Sequence, residues 1–391
     1  IPWAIARAFY IARTGRPGAV VLDITNDAQR GMLEWDYSKI EFIRSYDPDP
    51  SPQPAAIREA ASLLNHAVRP LIIAGHGVEI SQAEPQLQAL AEKADIPVVA
   101  TLLGLSTMPS DHPLFKGMVG MHGNIGPNIA TNRADVIMAV GMRFDNRITG
   151  AIKKYAPQAQ IIHIDVDNAE LNKNVKVGTA IHADARRALE LLLPLVNQAR
   201  HPKWLETFER PEQVERDVVM KRELDPDDIA PDGAMRMGEV VRKVSEASGN
   251  SGILVTDVGQ NFKFTMPRSI LTSGGLGTMG FCLPAAIGAK VACPDRQVFA
   301  FMGDGGFQMT MQELGTMLAY GIKVKMIILN NDFLGNVRQW QAMFYKNHFS
   351  QTPMINPDFV TIASAYNIKG ERVAGRAQLN DAIARMMASD E

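Results

Sequence analysis

Asp304 and Asn331 are the two side chains of this 391-residue chain whose type and spacing point most directly to chemistry. Asp304 stands in Gly303-Asp304-Gly305-Gly306 after an apolar run at 297–302, and Asn331 follows a second apolar run at 324–329, 27 residues downstream. Between them Met311, Leu314 and Leu318 recur three and four apart, the period of a helix. Gly321 closes that pattern, as a helix C-terminal glycine should. Strand, helix and strand over this length make a βαβ unit with parallel strands. Both polar residues then emerge at the carboxyl ends of strands, where open α/β sheets bind ligands. A carboxylate and an amide oxygen are hard donors that suit Mg²⁺, which keeps its other positions for water and phosphate oxygens. The glycines beside Asp304 let a diphosphate approach the backbone closely.

The elements that must position this pair occupy the last of several domains. A helix at 4–12, the turn Gly15-Arg16-Pro17-Gly18 and a strand at 19–24 come first, within a segment 1–43. Residues 44–54 hold four prolines and read as a semi-rigid linker. Over 55–200, helices at 55–66 and 85–94 alternate with buried strands at 70–74, 97–100, 135–140 and 160–166, a parallel α/β domain. Its strand ends carry Gly75-His76-Gly77, Thr101-Leu102-Leu103, Gly141-Met142-Arg143 and Asp165. Glycines there admit a phosphate or ribose close to backbone N–H groups, and an acid at a strand end accepts from ribose hydroxyls. Residues 201–234 read as a connector, and 235–391 as the domain of Asp304. In that domain Gly275, Gly277 and Gly280 satisfy GxGxxG, with Asp295 twenty residues past the first. A dinucleotide site needs its acid at the end of the second strand, whereas Asp295 sits in the Pro294-Asp295-Arg296 turn before it, so that reading fails. The expected fold class is α/β, with parallel-sheet domains carrying helices on both faces.

Composition narrows the partners. A net charge of −2 without a basic stripe argues against nucleic-acid and membrane partners. No signal peptide and no 18-residue apolar stretch are visible, so a soluble protein is expected, cytoplasmic and of bacterial type, with an organellar location left open. Cys282 and Cys293 read as two reduced core thiols. The chain opens Ile1-Pro2-Trp3 already in a helical pattern and closes on a helix at 378–387 with no strand after it, so both ends read as cut from a longer protein.

The GDG…NN pattern resembles the signature of thiamine diphosphate (ThDP) enzymes, and its continuation FLGNVRQWQAMFY resembles the large subunit of the acetohydroxyacid synthase (acetolactate synthase) family. GRPGAVVLDITND is similar to the end of that family's first domain, which binds the aminopyrimidine of ThDP. GMVGMHGN, GMRFDNRITG and HIDVDNAEL are similar to its FAD-binding segments. The resemblance implies Mg²⁺ held by Asp304, Asn331 and the Phe333 carbonyl, and ThDP held by Gln260, Asn261, Gly277, Met279, Gly303, Gly305, Gly306, Leu334 and Asn336. It implies a structural FAD lined by Arg16, Gly75, Gly77, Thr101, Leu102, Met121, His122, Gly141, Arg143, Asp145, Arg147, Asp165 and Asp184. Met279 would be the apolar wedge that keeps ThDP bent, Arg147 would pair with a 2-ketoacid carboxylate, and Trp340 would wall the second-substrate pocket.

The implied reaction is decarboxylation of pyruvate on ThDP and transfer of the hydroxyethyl unit to pyruvate or 2-ketobutyrate, in branched-chain amino acid biosynthesis. A homodimer or homotetramer with a small regulatory subunit is implied too. The family's catalytic Glu lies in the first domain, outside these residues, so the 391-residue piece alone is expected to be inactive. The chain departs from the commoner pattern at Asn26 for Lys, Asn146 for Asp, Asn261 for His and Asn336 for Met. Another ThDP carboligase or decarboxylase is disfavoured by RQWQ at 338–341, while the four asparagines keep a non-catalytic cofactor-binding paralogue open.

Overall fold

The uninterrupted apolar runs of the sequence become the interiors of two parallel sheets. The structure, a computed structural model, describes residues 1–35, 37–221, 235–257 and 266–389. They divide into a first unit, Ile1–Thr107 with Pro113–Arg210, and a second, Met108–His112 with Pro211–Glu391.

In the first unit six strands lie parallel: β1 (Pro70–Ala74), β2 (Val98–Ala100), β3 (Phe115–Met118), β4 (Val136–Val140), β5 (Gln160–Asp165) and β6 (Thr179–His182). Their order is β3-β2-β1-β4-β5-β6. All five residues of β1 and of β4 are buried, as in sheets covered by helices on both faces. β3 and β6 are the edges, and their Phe115-Lys116-Gly117-Met118 and Thr179-Ala180-Ile181-His182 carry no apolar run to announce them. The order reverses between β1 and β4, which makes that crevice the topological switch point. A doubly wound order thus occurs in the unit without a GxGxxG, while the GxGxxG lies in the other unit. The core gathers Leu71, Ile73, Val99 and Ile137 with Trp204 and Phe208, whose rings meet edge to face at 5.6 Å. Trp204 Nε1 donates to the Pro70 carbonyl at 2.7 Å, so the large indole is buried with its polar atom satisfied.

The expected first helix is present as Pro2–Arg13. The expected strand at 19–24 is not: the chain there has no ladder partner among the described residues, and Val20, Val21, Leu22 and Ile24 are exposed. A strand exists only where a neighbour completes its hydrogen bonds, and β-propensity alone does not make one.

In the second unit β7 (Ile253–Thr256), β8 (Ile270–Thr272), β9 (Val298–Gly303) and β10 (Lys325–Leu329) form a parallel sheet in the order β10-β9-β7-β8. β9 and β10 pair from Phe299↔Lys325 to Gly303↔Leu329, the expected βαβ unit. Its crossover is two helices, Asp304–Thr310 and Leu314–Tyr320, joined by a 3₁₀ turn at Met311–Glu313. That turn rotates each residue further than an α-helix does. In the helix past it Met317 is buried and Leu318, expected on the apolar face, is exposed. Gly321 caps the helix in the left-handed conformation, φ 62°, as its type predicts. The core joins Val255, Cys282, Leu283, Ala300, Phe307 and Leu314. Both cysteines are free thiols, Cys282 buried and Cys293 half-buried. Among the described residues no helix is long and apolar enough to cross a membrane.

Candidate active site

β9 delivers Asp304 to the carboxyl edge of the sheet, where the helix Asp304–Thr310 begins at once. The carboxylate is 1% exposed. Its Oδ1 accepts from the Gly305 N–H at 2.9 Å, and its Oδ2 from the Asp332 N–H at 2.9 Å and Asn356 Nδ2 at 2.7 Å. Asp332 reaches it from a left-handed turn, φ 58°, which a short polar side chain tolerates. The side chain of Asn331 is turned onto its own loop, with Oδ1 accepting from the Phe333 N–H at 3.2 Å. A later segment straps this loop down: the Leu334 N–H donates to the Thr352 carbonyl, Phe333 bridges Pro353, and the Met354 N–H donates to the Asp332 carbonyl. Asn356 is a residue that sequence reasoning missed, because an asparagine before a proline in a polar loop reads as a turn.

Beside Asp304 the site is apolar and close-packed. A Cβ on Gly305 would lie 2.9 Å from Leu334 Cδ2, 3.2 Å from Met354 Sδ and 3.3 Å from Met279 Cε, so the expected Met279 and Leu334 meet over bare backbone. A Cβ on Gly306 would lie 2.1 Å from Asp257 Oδ2. A side chain on Gly306 would collide with the Asp257 carboxylate, whereas one on Gly305 would displace the flexible ends of Leu334, Met354 and Met279. Asp257, also missed, ends the β7 run; its Oδ1 accepts from the Cys282 N–H at 2.7 Å, while its buried Oδ2 has no hydrogen-bond partner among the described residues. Burial pushes that carboxyl up, opposed by the backbone N–H groups of Cys282, Gly280 and Phe281. In the same loop Gly280 needs φ 83° and packs on Met309 and Thr310, whereas Gly277, φ 66°, stands open.

Trp340 and Asn336 lie on the helix Gly335–Phe344, which buries none of its residues; the Trp340 ring packs on Phe344 at 4.7 Å. Gln260 and Asn261 lie outside the described residues. The donor set suits Mg²⁺ and a diphosphate: one buried carboxylate, the oxygens of 330–333, and two glycines that leave backbone bare. No group of three or more His, Cys, Asp or Glu gathers as a metal site among the described residues, so a cation here would draw on amide and carbonyl oxygens beside the Asp304 carboxylate.

In the first unit the expected FAD residues collect at the carboxyl ends of the six strands, apart from Arg16, which reaches the segment past β5 through Asp167 and Glu170. The glycines there act differently from the sequence reading. A Cβ on Gly75 would lie 2.2 Å from the Gly141 carbonyl oxygen, and one on Gly77 2.6 Å from Gly141 Cα. The N–H groups of Gly75, Gly77, Thr101, Gly141 and Met121 donate to Val140, Gly141, Ala74, Ile164 and Arg147 carbonyls in turn. These glycines let two loops pack backbone to backbone, and their N–H groups are already used.

Side chains therefore remain to meet a ligand. Met121, His122, Arg143 and Arg147 are exposed, and Leu102 is half-buried. Asp145 caps the short helix Asn146–Thr149 through the Arg147 N–H and takes Arg143 Nη2 at 3.4 Å. Asp184 caps the helix Ala185–Leu192 through the Arg187 N–H, and burial pushes its carboxyl up. Arg16 bonds Asp167 and Glu170, each at 2.8 Å. Burial pushes the Asp165 carboxyl up to about 6 although its Oδ1 accepts from the Asp167 N–H. His163 beside it is buried and held neutral, its Nε2 donating to the Met142 carbonyl at 2.8 Å; the 3.8 Å to Asp165 is too long for a hydrogen bond.

Residues 57–192 match the thiamine pyrophosphate enzyme central domain, and residues 249–391 the C-terminal TPP binding domain of the same enzymes. Over its whole length the chain is 42% identical to the probable acetolactate synthase large subunit of Methanocaldococcus jannaschii, and covers 68% of it. The chain belongs to the acetolactate synthase large-subunit family. It is also 38% identical to the acetolactate synthase of Mycobacterium bovis, covering 65% of that protein, and 38% identical to the large subunit of Lactococcus lactis subsp. lactis, covering 68%. It thus spans about two thirds of the length of these family members. Within the family frame, the central-domain match holds β1 to β6 and their switch point, and the TPP binding match holds β7 to β10 with Asp304, Met279 and the 330–334 loop.

Proposed function

We propose that the protein is the catalytic large subunit of an acetolactate synthase, a ThDP-dependent transferase. It decarboxylates pyruvate and joins the two-carbon unit to pyruvate or 2-ketobutyrate, in branched-chain amino acid biosynthesis. The observation that carries this reading is the convergence of Asp304, Gly305, Met279 and Leu334 at the end of β9, in a chain of this family. When bound, ThDP supplies the electron sink that a 2-ketoacid decarboxylation needs.

The chain's own residues bind and orient. Asp304, Asn331 and the Phe333 carbonyl would hold the Mg²⁺ that carries the diphosphate, and Gly305 and Gly306 leave backbone bare beside it. Met279 and Leu334 exclude water from the apolar side. Arg147, exposed and with no side-chain partner among the described residues, is free to bind a ketoacid carboxylate. Trp340 offers a flat wall to the second ketoacid. FAD belongs to the proposal through Arg143, Asp145, Asp165 and Asp184 at the strand ends of the first unit, with a structural role. A small regulatory subunit completes the assembly, as expected of a large subunit.

Acetolactate formed from pyruvate by the full-length protein, dependent on ThDP and Mg²⁺, tests the activity. Asp304→Ala is expected to abolish Mg²⁺-dependent ThDP binding in titration calorimetry, since the diphosphate charge loses its only buried carboxylate-held counterion. Unchanged ThDP affinity in that variant would sink the metal assignment, and absence of acetolactate from the full-length protein would sink the activity.

A further inference from the structure

Asn356 sits at the centre of the oxygens around Asp304. Its Nδ2 lies 2.7 Å from Asp304 Oδ2, 2.7 Å from Asn330 Oδ1 and 2.8 Å from Asp332 Oδ1. Its own Oδ1 accepts from Gln308 Nε2 at 2.8 Å. Two carboxylates and an amide oxygen thus surround a group with only two hydrogens, a nitrogen in an oxygen cage. The orientation of the amide follows from charge. Turned over, its oxygen would face both carboxylates and its nitrogen would face the Gln308 amide nitrogen.

The consequence lies in the lone pairs of Asp304. A carboxylate offers about four acceptor positions. Oδ2 receives the Asp332 N–H and Asn356 Nδ2, and Oδ1 receives the Gly305 N–H, so among the described residues three are filled and one remains, on Oδ1. We infer that Asn356 is a positioning residue which, by filling Oδ2, confines Asp304 to a single free lone pair and so sets the cation preference of the site toward Mg²⁺ and against Ca²⁺. Mg²⁺ demands near-octahedral geometry and takes a carboxylate through one oxygen, whereas Ca²⁺ takes six to eight oxygens and accepts a carboxylate through both. Without Asn356, Oδ2 and the oxygens of Asn330 and Asp332 are released together, and the site gains the donors and looseness that Ca²⁺ uses. This rests on the proposed ThDP and Mg²⁺ site, and goes beyond it by naming what selects the ion.

The experiment is calorimetric titration of ThDP into the cofactor-free full-length protein over a series of Mg²⁺ and of Ca²⁺ concentrations, with circular dichroism as the check on folding. The readout is the ratio of half-saturating Ca²⁺ to half-saturating Mg²⁺. Asn356→Ala is expected to lower this ratio by about 10-fold, the low end of the loss seen when a group orienting a metal ligand is removed. Asn356→Ser, which keeps one donor, is expected to fall between Ala and wild type. An unchanged ratio in folded Asn356→Ala overturns the inference, as does equal weakening of both cations. If the Ala variant misfolds, an unchanged ratio in Asn356→Ser overturns it. Wild-type protein that binds ThDP with neither cation overturns the proposed function itself, a distinct result.

Discussion

At the scale of single residues, Trp340 and Asp165 carry separable expectations. Trp340 is 46% exposed and packs on Phe344 outside the buried core cluster of its unit, so removing the indole leaves no cavity in that core. Trp340→Leu in the full-length enzyme is expected to unfold at the wild-type temperature, to keep acetolactate formation and to lose most preference for 2-ketobutyrate. One methylene in an apolar pocket is worth about 1–3 kcal/mol, or roughly 10–200-fold, which is the range a wall contact can supply. Competition between the two ketoacids reads the product ratio, and an unchanged ratio removes Trp340 from the pocket. Asp165 bears on stability instead. Its carboxyl titrates at about 6 in the fold against an ordinary 3.8. Below about 6 the folded chain takes up a proton that the unfolded chain does not hold until 3.8, so acidification through this window adds stability, and above it the ionised, buried group lowers stability in full. Asp165→Asn keeps an acceptor for the Asp167 N–H and removes the charge. It is expected to stabilise the flavin-free protein at pH 7.5 by up to about 3 kcal/mol in urea unfolding, with a raised melting temperature, and to make almost no difference at pH 4. Equal gains at both pH values would show that charge burial is not the cause.

At the scale of elements, what was legible in the sequence was what burial on both faces dictates. β1, β4, β5 and β9 are long apolar runs, and each lies inside its sheet as expected. β3, β6 and β8 are edge strands, half-buried and short, and their residues carry no such run. The crossover helix was legible in its ends, Asp304 and Gly321, but not in its break at Met311–Glu313, because periodicity assumes one constant rotation per residue. The site shows the same division. Asp304, Met279 and Leu334 were legible through glycines and local motif, whereas Asn356 and Asp257 enter through the chain's return to the site, which spacing does not encode. Phe307 ties element to site: three residues past Asp304, it is 2% exposed and meets Phe359 edge to face at 5.3 Å. Phe307→Ala is expected to cost about 3–5 kcal/mol in urea unfolding, the range for a buried phenylalanine, and to weaken ThDP binding as the helix start loosens. A loss below about 1 kcal/mol would show that this helix is not anchored through the ring.

At the scale of the whole molecule, the apolar surface is unevenly placed. Single exposed apolar side chains are ordinary on any protein. Runs of them are not, and they mark surfaces that further protein covers, be it more of the same polypeptide or a second one. In the first unit Val20, Val21, Leu22 and Ile24 are exposed in succession, Val21 at 88%. In the second unit Trp340, Met343, Phe344 and Tyr345 are exposed on and just past one helix that buries nothing. A helix with no buried face has no reason to hold its shape as a lone surface element, since most helical stability comes from packing. A second copy of the protein is the covering partner expected for a large subunit of this family. Sedimentation velocity of the full-length protein is therefore expected to show a homo-oligomer at micromolar concentration. Phe344→Glu places a charge in the aromatic run and is expected to weaken association by about 30-fold or more, the effect of losing an interface anchor worth 2 kcal/mol or above. Its melting temperature at concentrations where both proteins are monomeric should match wild type, because the ring is 59% exposed and supports no core of its own. A wild-type protein that sediments as a monomer at tens of micromolar, or an oligomer indifferent to Phe344→Glu, would mean that this aromatic run faces a different partner or none.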